Sequence, residues 1–389
     1  MATSKPTTTG RWLPVHGKAR LPAHLRAAGA FLPKPLPSDV EFRTETAKAV
    51  ARADHMLGRL DEAATRLPER GALVRATQWR ELAGSWGADG TEVSVRDVFL
   101  QDLRGLRNPP VTDPAVAEYV AAADDAARRA RAGEAIGVML LRRTAARLPT
   151  SGTSTERGTD PPWRTTDRWF GARPSSAYLL AVPPGAELRT AAEQWVAWVD
   201  CPSDMPLIAK LALGAYQILT LAPLDNSEEV ANLYVVLELI RAGALRDQIL
   251  PVSPWLAPRS APYHIRHRAV AEDGDLDGWI AFVAEGIARL CRAQLNIVDT
   301  VEELREEFLD RLGRRNDSLA RAVNALLGTP VADQALIAER SGVSLRHSHD
   351  LIKRLRIHGV VREMGQRKQH KLHEVPAVMR VLGSAEDGA

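Results

Sequence analysis

The residues with the most chemical potential lie between two apolar runs, in KLALGAYQILTLAPLDNSEEVANLYVVLELIRAGA at 210–244. The spacing predicts one helix ending near Leu221, a short loop at 222–226, and a second helix opening on Ser227, Glu228 and Glu229. A helix N-terminus backed by glycine-rich chain is a natural phosphate site. Here two carboxylates occupy the first turn, and they repel a polyphosphate instead of cradling it. Asn226 with Glu229 three positions later forms an Asn-x-x-Glu capping box. First-turn glutamates also complement the helix dipole by roughly 0.3–1 kcal/mol each. A helix start therefore accounts for these residues without any ligand. The sharper alternative is that Asn226, Glu228 and Glu229 form a polar site for a cationic or neutral ligand.

Other reactive constellations are sparse. Cys201 and Cys291 are the two cysteines, too few for a disulfide framework or a four-ligand zinc site, so a reducing cytosol is expected. No nucleophile elbow and no Gly-x-x-x-x-Gly-Lys loop occurs. Tyr263, His264 and His267 form an aromatic group about twenty residues past the second helix. The two histidines lie three apart, but without a third ligand they read as solvated surface groups rather than a metal site.

Charge is sorted along the chain. The whole carries 51 Lys+Arg against 48 Asp+Glu, a net +3 that by itself argues against a protein built around nucleic acid. Residues 340–373 hold nine of those cations (Arg340, Arg346, Lys353, Arg354, Arg356, Arg362, Arg367, Lys368, Lys371) and two acids (Asp350, Glu363), a net +7. That leaves 42 basic and 46 acidic residues elsewhere, a net −4. Five of the ten histidines also fall in this segment. The asymmetry marks a basic module on a mildly acidic body.

The elements that must position these groups are mostly helical. Of 389 residues, 45% are hydrophobic and 25% charged, a globular composition, and the length predicts two or three domains. Residues 1–38 read as an extended Pro/Thr-rich segment. Apolar periodicity predicts helices at 39–65, 73–84, 93–103, 113–132 and 133–148, with Asp113 or Thr112 as cap and Pro114 in the first turn of the fourth. After a Ser/Thr/Gly/Pro-rich loop at 149–167 comes a strand pair, Trp169-Phe170 and 177–182, around a turn at 172–176. Helices resume at 187–199, 205–219, 228–243 and 276–298, followed by a charged connecting helix over 301–316 and a tail at 377–389. No stretch reaches the roughly 18–20 apolar residues of a membrane span, and the N-terminus lacks an apolar signal region, so a cytoplasmic protein without membrane contact is expected.

Residues 317–376 predict helix 319–327, short helix 334–341, a turn at Gly342, longer helix 344–358, and a hairpin with the basic tip GQRKQHKLH. That order is the order of a winged helix-turn-helix. Arg346, His347, His349, Lys353 and Arg354 on the longer helix, with Arg367, Lys368 and Lys371 in the wing, are the candidate DNA contacts. Recognition-helix side chains meet base edges, while wing cations meet phosphates. Winged helices also dock proteins and dimerise, so protein binding and a homodimer stay open.

At the 210–244 stretch the sequence resembles the Fic/Fido family, whose signature is His-Pro-Phe-x-Asp/Glu-Gly-Asn-Gly/Lys-Arg-x-x-Arg in the same helix–loop–helix setting. The likeness extends to "HMLGRLDEAATRLP" and "WRELAGSWGADGTEVSVRDVF" as N-terminal helices over 39–112. It also covers "WFGARPSSAYLLAVPPGAELRTAAEQWVAWV" as target-docking flap and helix, within a core at 113–300. The resemblance implies a mainly α Fic helical fold with a β-hairpin flap, plus the C-terminal winged helix. Aligned on Pro223, Ala222 stands where the family has its histidine base and Leu224 replaces the phenylalanine. Asn226 takes the metal-ligand carboxylate position, and Ser227, Glu228 and Glu229 fill the anion hole. Val230 and Leu233 replace the two arginines, so the motif at 222–233 is degenerate. Losing a positioned base alone costs about 10²–10⁴-fold in rate. The family's inhibitory Ser-x-x-x-Glu-Gly has a counterpart in Ser85, Asp89 and Gly90, whose partner arginine is Leu233 here. A relic is the simplest reading.

Together these features lead to a pseudoenzyme, with no catalytic residue and no metal, expected to bind ATP and Mg²⁺ poorly. It would regulate through DNA, or through a protein partner at the flap, 168–182, by edge pairing. The alternative is a Fido-fold transferase, AMPylation-like or with another donor, using a non-standard site.

Overall fold

The computed structural model of the chain describes residues 9–15, 21–86, 93–103, 113–145, 163–171, 173–256, 261–313, 317–365 and 371–384. Strand β1 (Gly10–Leu13), helix α1 (Ala23–Ala28) and strand β2 (Ala30–Pro33) come first. Helices α2 (Thr44–Ala64), α3 (Gly71–Trp86), α4 (Val95–Phe99) with a 3₁₀ turn at Leu100–Leu103, α5 (Pro114–Arg131) and α6 (Val138–Ala145) follow. Strands β3 (Trp169–Phe170) and β4 (Leu179–Leu180) precede α7 (Ala186–Asp200), α8 (Leu207–Leu221), α9 (Ser227–Arg241), α10 (Ala261–Asp273) and α11 (Leu276–Leu312). The chain continues through α12 (Asp317–Gly328), β5 (Val331–Asp333), α13 (Gln334–Ser341), α14 (Leu345–Ile357), β6 (Arg362–Met364), β7 (Leu372–Glu374) and α15 (Pro376–Gly383). The fold is mainly α, as the periodicity predicts.

Two compact units form. One comprises 1–57, 122–246 and 252–289; the other comprises 58–121, 247–251 and 290–389. In the first, α8 is the central helix, because every residue from 208 to 221 is buried. An apolar helix without a polar face must be enclosed on all sides. Trp195 Nε1 donates to Gly214 O at 2.9 Å and Trp279 Nε1 to Ala212 O at 2.8 Å, so two indoles seat α7 and α11 against its backbone. Gly214 is required there: a Cβ would lie 2.2 Å from the Tyr234 hydroxyl of α9. Lys210 turns its ammonium to Val199 O and Cys201 O, both at 2.8 Å, closing the C-terminus of α7.

In the second unit α12, α13 and α14 pack together, and α13 lies against β5 of the antiparallel sheet β5-β7-β6. Asp333 caps α13 by accepting from Leu336 N at 2.8 Å, Gly342 ends it in the left-handed region (φ 64°), and Ser344 caps α14. This C-terminal segment packs on α3 and α4 within one unit. Arg96 pairs with Glu374 at 2.8 Å, Arg340 with Glu69 at 3.2 Å, and Arg80 donates to Leu382 O at 3.1 Å.

Four expectations are corrected. Within 1–38 the described residues do not form an extended segment, since β1 and β2 pair antiparallel from Gly10↔Pro33 to Leu13↔Ala30, with α1 between them in sequence. The separate connecting helix expected over 301–316 is, over 301–312, the last third of α11, which meets no glycine or proline between Val298 and Val301. The expected tail is helical over 377–383 as part of α15, which starts on Pro376 and buries Val378, Met379 and Leu382. The helix expected from 133 starts at Val138, after Gly133 turns the chain with φ 80°. Among the described residues no helix is long and apolar enough to cross a membrane.

Candidate functional site

The loop joining α8 to α9 is held from an unexpected direction. Ala222 ends α8 in the left-handed region (φ 43°, ψ 59°), a conformation that costs a non-glycine residue about 1–2 kcal/mol. Buried Arg164, 58 residues upstream, stabilises it. Its Nε donates to Ala222 O at 2.7 Å, Nη2 to Val182 O at 2.7 Å and Leu221 O at 3.4 Å, and Nη1 to Thr166 O at 2.5 Å. Its own N–H reaches Pro223 O at 2.9 Å. The guanidinium fork thus satisfies carbonyls that a helix C-terminus leaves without partners. Burial lowers the Arg164 pKa to about 10, against the pull of Asp167 and Asp225, so the group remains cationic at neutral pH. No spacing rule links Arg164 to this loop, and sequence reasoning missed it.

Beyond Ala222 the loop closes on itself. Ser227 Oγ accepts from Leu224 N at 2.9 Å and donates to Leu224 O at 2.5 Å. The expected Asn226–Glu229 capping box does not form. Asn226 sits at the cap with φ −104° and ψ 40° and makes no side-chain cap bond, because this backbone is not the extended one that aims a cap oxygen at the helix. Glu228 forms an ion pair with Arg168, just before β3, with the two side chains 30% and 37% exposed. Val230 and Leu233 are buried on α9.

Ala222 is itself buried, in a cluster with Phe31 of β2, Phe170, Leu179 and Ala181 of the hairpin, and Ala271 of α10. Trp12 and Tyr178 pack against the same cluster. The hairpin pairs Trp169↔Leu180 and Phe170↔Leu179, as the strand signals predict.

Next to this cluster the histidine expectation is corrected: His267 is fully buried, not solvated. Its ring stacks on Tyr263 at 5.5 Å and 12°, with Phe170, Tyr216 and Trp279 around it. Thr220 Oγ1 donates to Tyr216 O at 2.7 Å, so it accepts from His267 Nε2–H at 3.0 Å, and Nδ1 accepts from Tyr178 OH at 2.9 Å. That assignment makes the ring neutral, and burial holds its pKa at about 3. His264 is half-buried near the same hydroxyl, Nδ1 at 3.4 Å, and burial lowers its pKa too. Spacing missed this packing because α10 turns His267 inward onto α8. Among the described residues no group of three or more His, Cys, Asp or Glu is placed to hold a metal ion.

A second candidate surface lies on α14. Arg346, His347, His349, Lys353 and Arg354 are all exposed, while Ser348, Leu351, Ile352 and Leu355 turn inward. Among the described residues none of those five side chains forms an ion pair or hydrogen bond. Their basic neighbours differ. Arg340 pairs with Glu69, Arg362 with Glu374, and both Arg356 and Lys371 with Glu363 at 3.5 and 2.7 Å. Lys371, expected as a wing contact, is thus engaged. Arg367 and Lys368 lie outside the described residues, as do Asp89 and Gly90, and Ser85 falls in the last turn of α3.

Neither a family model nor a curated protein matches this chain. Among solved structures, the crystal structure of a Fic family protein from Desulfovibrio desulfuricans G20 is similar. The TM-score is 0.54 at 15% identity, covering 87% of this chain and 98% of that one. At that identity the likeness establishes the fold, a Fic helical fold.

Proposed function

We propose that this Fic-fold chain has lost nucleotidyl transfer and works as a DNA-binding regulator through residues 317–376, used as a winged helix. The observation that carries the reading is the division of cations on and around α14. Arg340, Arg356, Arg362 and Lys371 are neutralised by acids of the same unit, whereas Arg346, Lys353 and Arg354 are left exposed on one helix. A net +7 in the sequence is therefore concentrated into a few cations free to release counterions from a phosphate backbone. The α13–Gly342–α14 order and the β6–β7 hairpin follow the element order of a winged helix, which supports this reading.

The pseudoenzyme half of the reading rests on the α8–α9 loop. A Mg²⁺–nucleotide does not suit the residues present. Ala222 offers no base and lies under Phe31, Asn226 replaces a carboxylate ligand, and Glu228 adds negative charge at the helix start with Arg168 already committed to it. Val230 and Leu233 are buried apolar groups that cannot neutralise transferring phosphate.

The test is duplex-DNA binding by fluorescence anisotropy across a salt series. The triple variant Arg346→Ala/Lys353→Ala/Arg354→Ala is expected to weaken binding and to flatten the log K against log salt slope by about 0.9 per lost phosphate contact. Unchanged affinity and slope would sink the assignment of α14.

A further inference from the structure

The N-terminal β1–α1–β2 element is the part of the fold that the proposed function does not use, and it lies on the hairpin whose edge is suited to strand addition. A parallel bridge joins Phe31 of β2 to Ala181, next to β4. Phe31 is fully buried against Phe170, Leu179 and Ala222, with the Trp12 ring 5.2 Å away as a lid. A second cluster repeats the contact one residue earlier, with Ala30 and Leu21 on Leu180 and with Val15 and Trp169 packed against it. Polar bonds hold the margins: His24 Nε2 lies 2.7 Å from Ala177 O, and Thr9 Oγ1 donates to Val270 O at 2.7 Å. The element is also shaped for the place. A Cβ on Gly10 would meet the Phe31 ring at 2.4 Å, and Gly29 (φ 91°) lets the chain pass Leu13 O.

A two-strand hairpin leaves backbone donors and acceptors along its outer edge, which a chain must cover or lose to chance pairing. Here β2 covers it. Between β2 and α2, residues 34–43 contain no helix or strand and carry Pro35 and Pro37, so a separate tether links the element to the helical body.

We infer that β1, α1 and β2 form a strap held in cis on a strand-addition site: the β4 edge supplies backbone pairing, and the apolar recess over Ala222 selects an aromatic side chain at the Phe31 position. An alanine at 222 is part of that recess, because the space a longer side chain would take is filled by the Phe31 ring. The site is closed to other extended segments while the strap is seated, since the tether maintains an effective concentration on the order of millimolar.

The experiment uses the full chain and a fluorescein-labelled synthetic peptide of residues 9–34, read by anisotropy. Phe31→Asp removes the aromatic plug. Gly29→Val breaks the strap's own turn through its positive φ while leaving the recess untouched. Both variants are expected to bind the peptide at least about tenfold more tightly than the unaltered chain, which competes with its own strap. A peptide carrying Phe31→Ala is expected not to bind. Folded variants that take up the peptide no better than the unaltered chain overturn the inference. Hydrogen exchange on the unaltered chain decides without any variant. Residues 30–33 are expected to exchange well before 208–221; protection at 30–33 equal to that at 208–221 overturns it.

Discussion

Burial of a neutral His267 makes the stability of the helical core depend on acid in a calculable way. The ring is enclosed by Tyr178, Tyr216, Tyr263 and Trp279, with its two nitrogens engaged by Tyr178 OH and Thr220 Oγ1 and His264 the nearest other titratable imidazole. Its folded pKa, about 3, lies below the ordinary 6.5. Between those values the unfolded chain binds a proton that the folded chain refuses. Stability is therefore fully present above 6.5 and falls as pH drops toward 3. Each pH unit within that window removes about 1.4 kcal/mol, so going from about pH 7.5 to about pH 5 costs roughly 2 kcal/mol from this residue. His267→Gln keeps polar atoms but cannot titrate. It is expected to be less stable than the unaltered chain near neutral pH, through lost ring packing, and to show a pH dependence shallower by about 2 kcal/mol over that interval. Urea unfolding followed by tryptophan fluorescence at several pH values measures both quantities. Parallel stability curves for the two proteins between about pH 7.5 and pH 5 would refute the buried neutral assignment.

Further perturbations test the loop. Arg164→Met leaves the carbonyls of Ala222, Val182 and Thr166 without their donor, and a loss of about 3 kcal/mol or more in urea unfolding is expected. A change within about 0.5 kcal/mol would show the clamp to be idle. Ala222→His must push an imidazole into the cluster of Phe31, Phe170 and Leu179, so it should cost about 1–3 kcal/mol by overpacking. Transfer of adenylate to a protein acceptor by that single variant, read with radiolabelled ATP, would contradict the reading of the loop as a closed site.

Local signals gave good guidance wherever the physics was local. The helices 334–341 and 227–241 end or begin at Gly342 and Ser227, residues whose backbone preferences act over a few positions. The hairpin at 169–180 was legible from aromatic and aliphatic residues around a Pro-Ser-Ser turn. The capping box failed for an equally physical reason: the residue pattern was present, but Asn226 has ψ 40° rather than an extended value, in a loop closed by the Ser227–Leu224 bonds. The extended reading of 1–38 failed because β1 and β2 are each four residues long and gain their stability from packing on a hairpin about 150 residues away.

The amino-acid order by itself determined which side chains stand in the α8–α9 loop: Ala222, Asn226, Glu228, Val230 and Leu233 differ in type from the motif they resemble, and side-chain type decides whether a base, a ligand or a cation is on offer. It also determined where positive charge accumulates. Which charges stay available was decided only by tertiary structure, because ion pairing depends on distances of a few ångströms between residues as far apart as Arg340 and Glu69. Tertiary structure alone likewise placed Arg164 under Ala222, Phe31 above it and His267 in the core. Burial and hydrogen bonding there arise from segments that meet only after the chain has folded, and no short-range pattern records them.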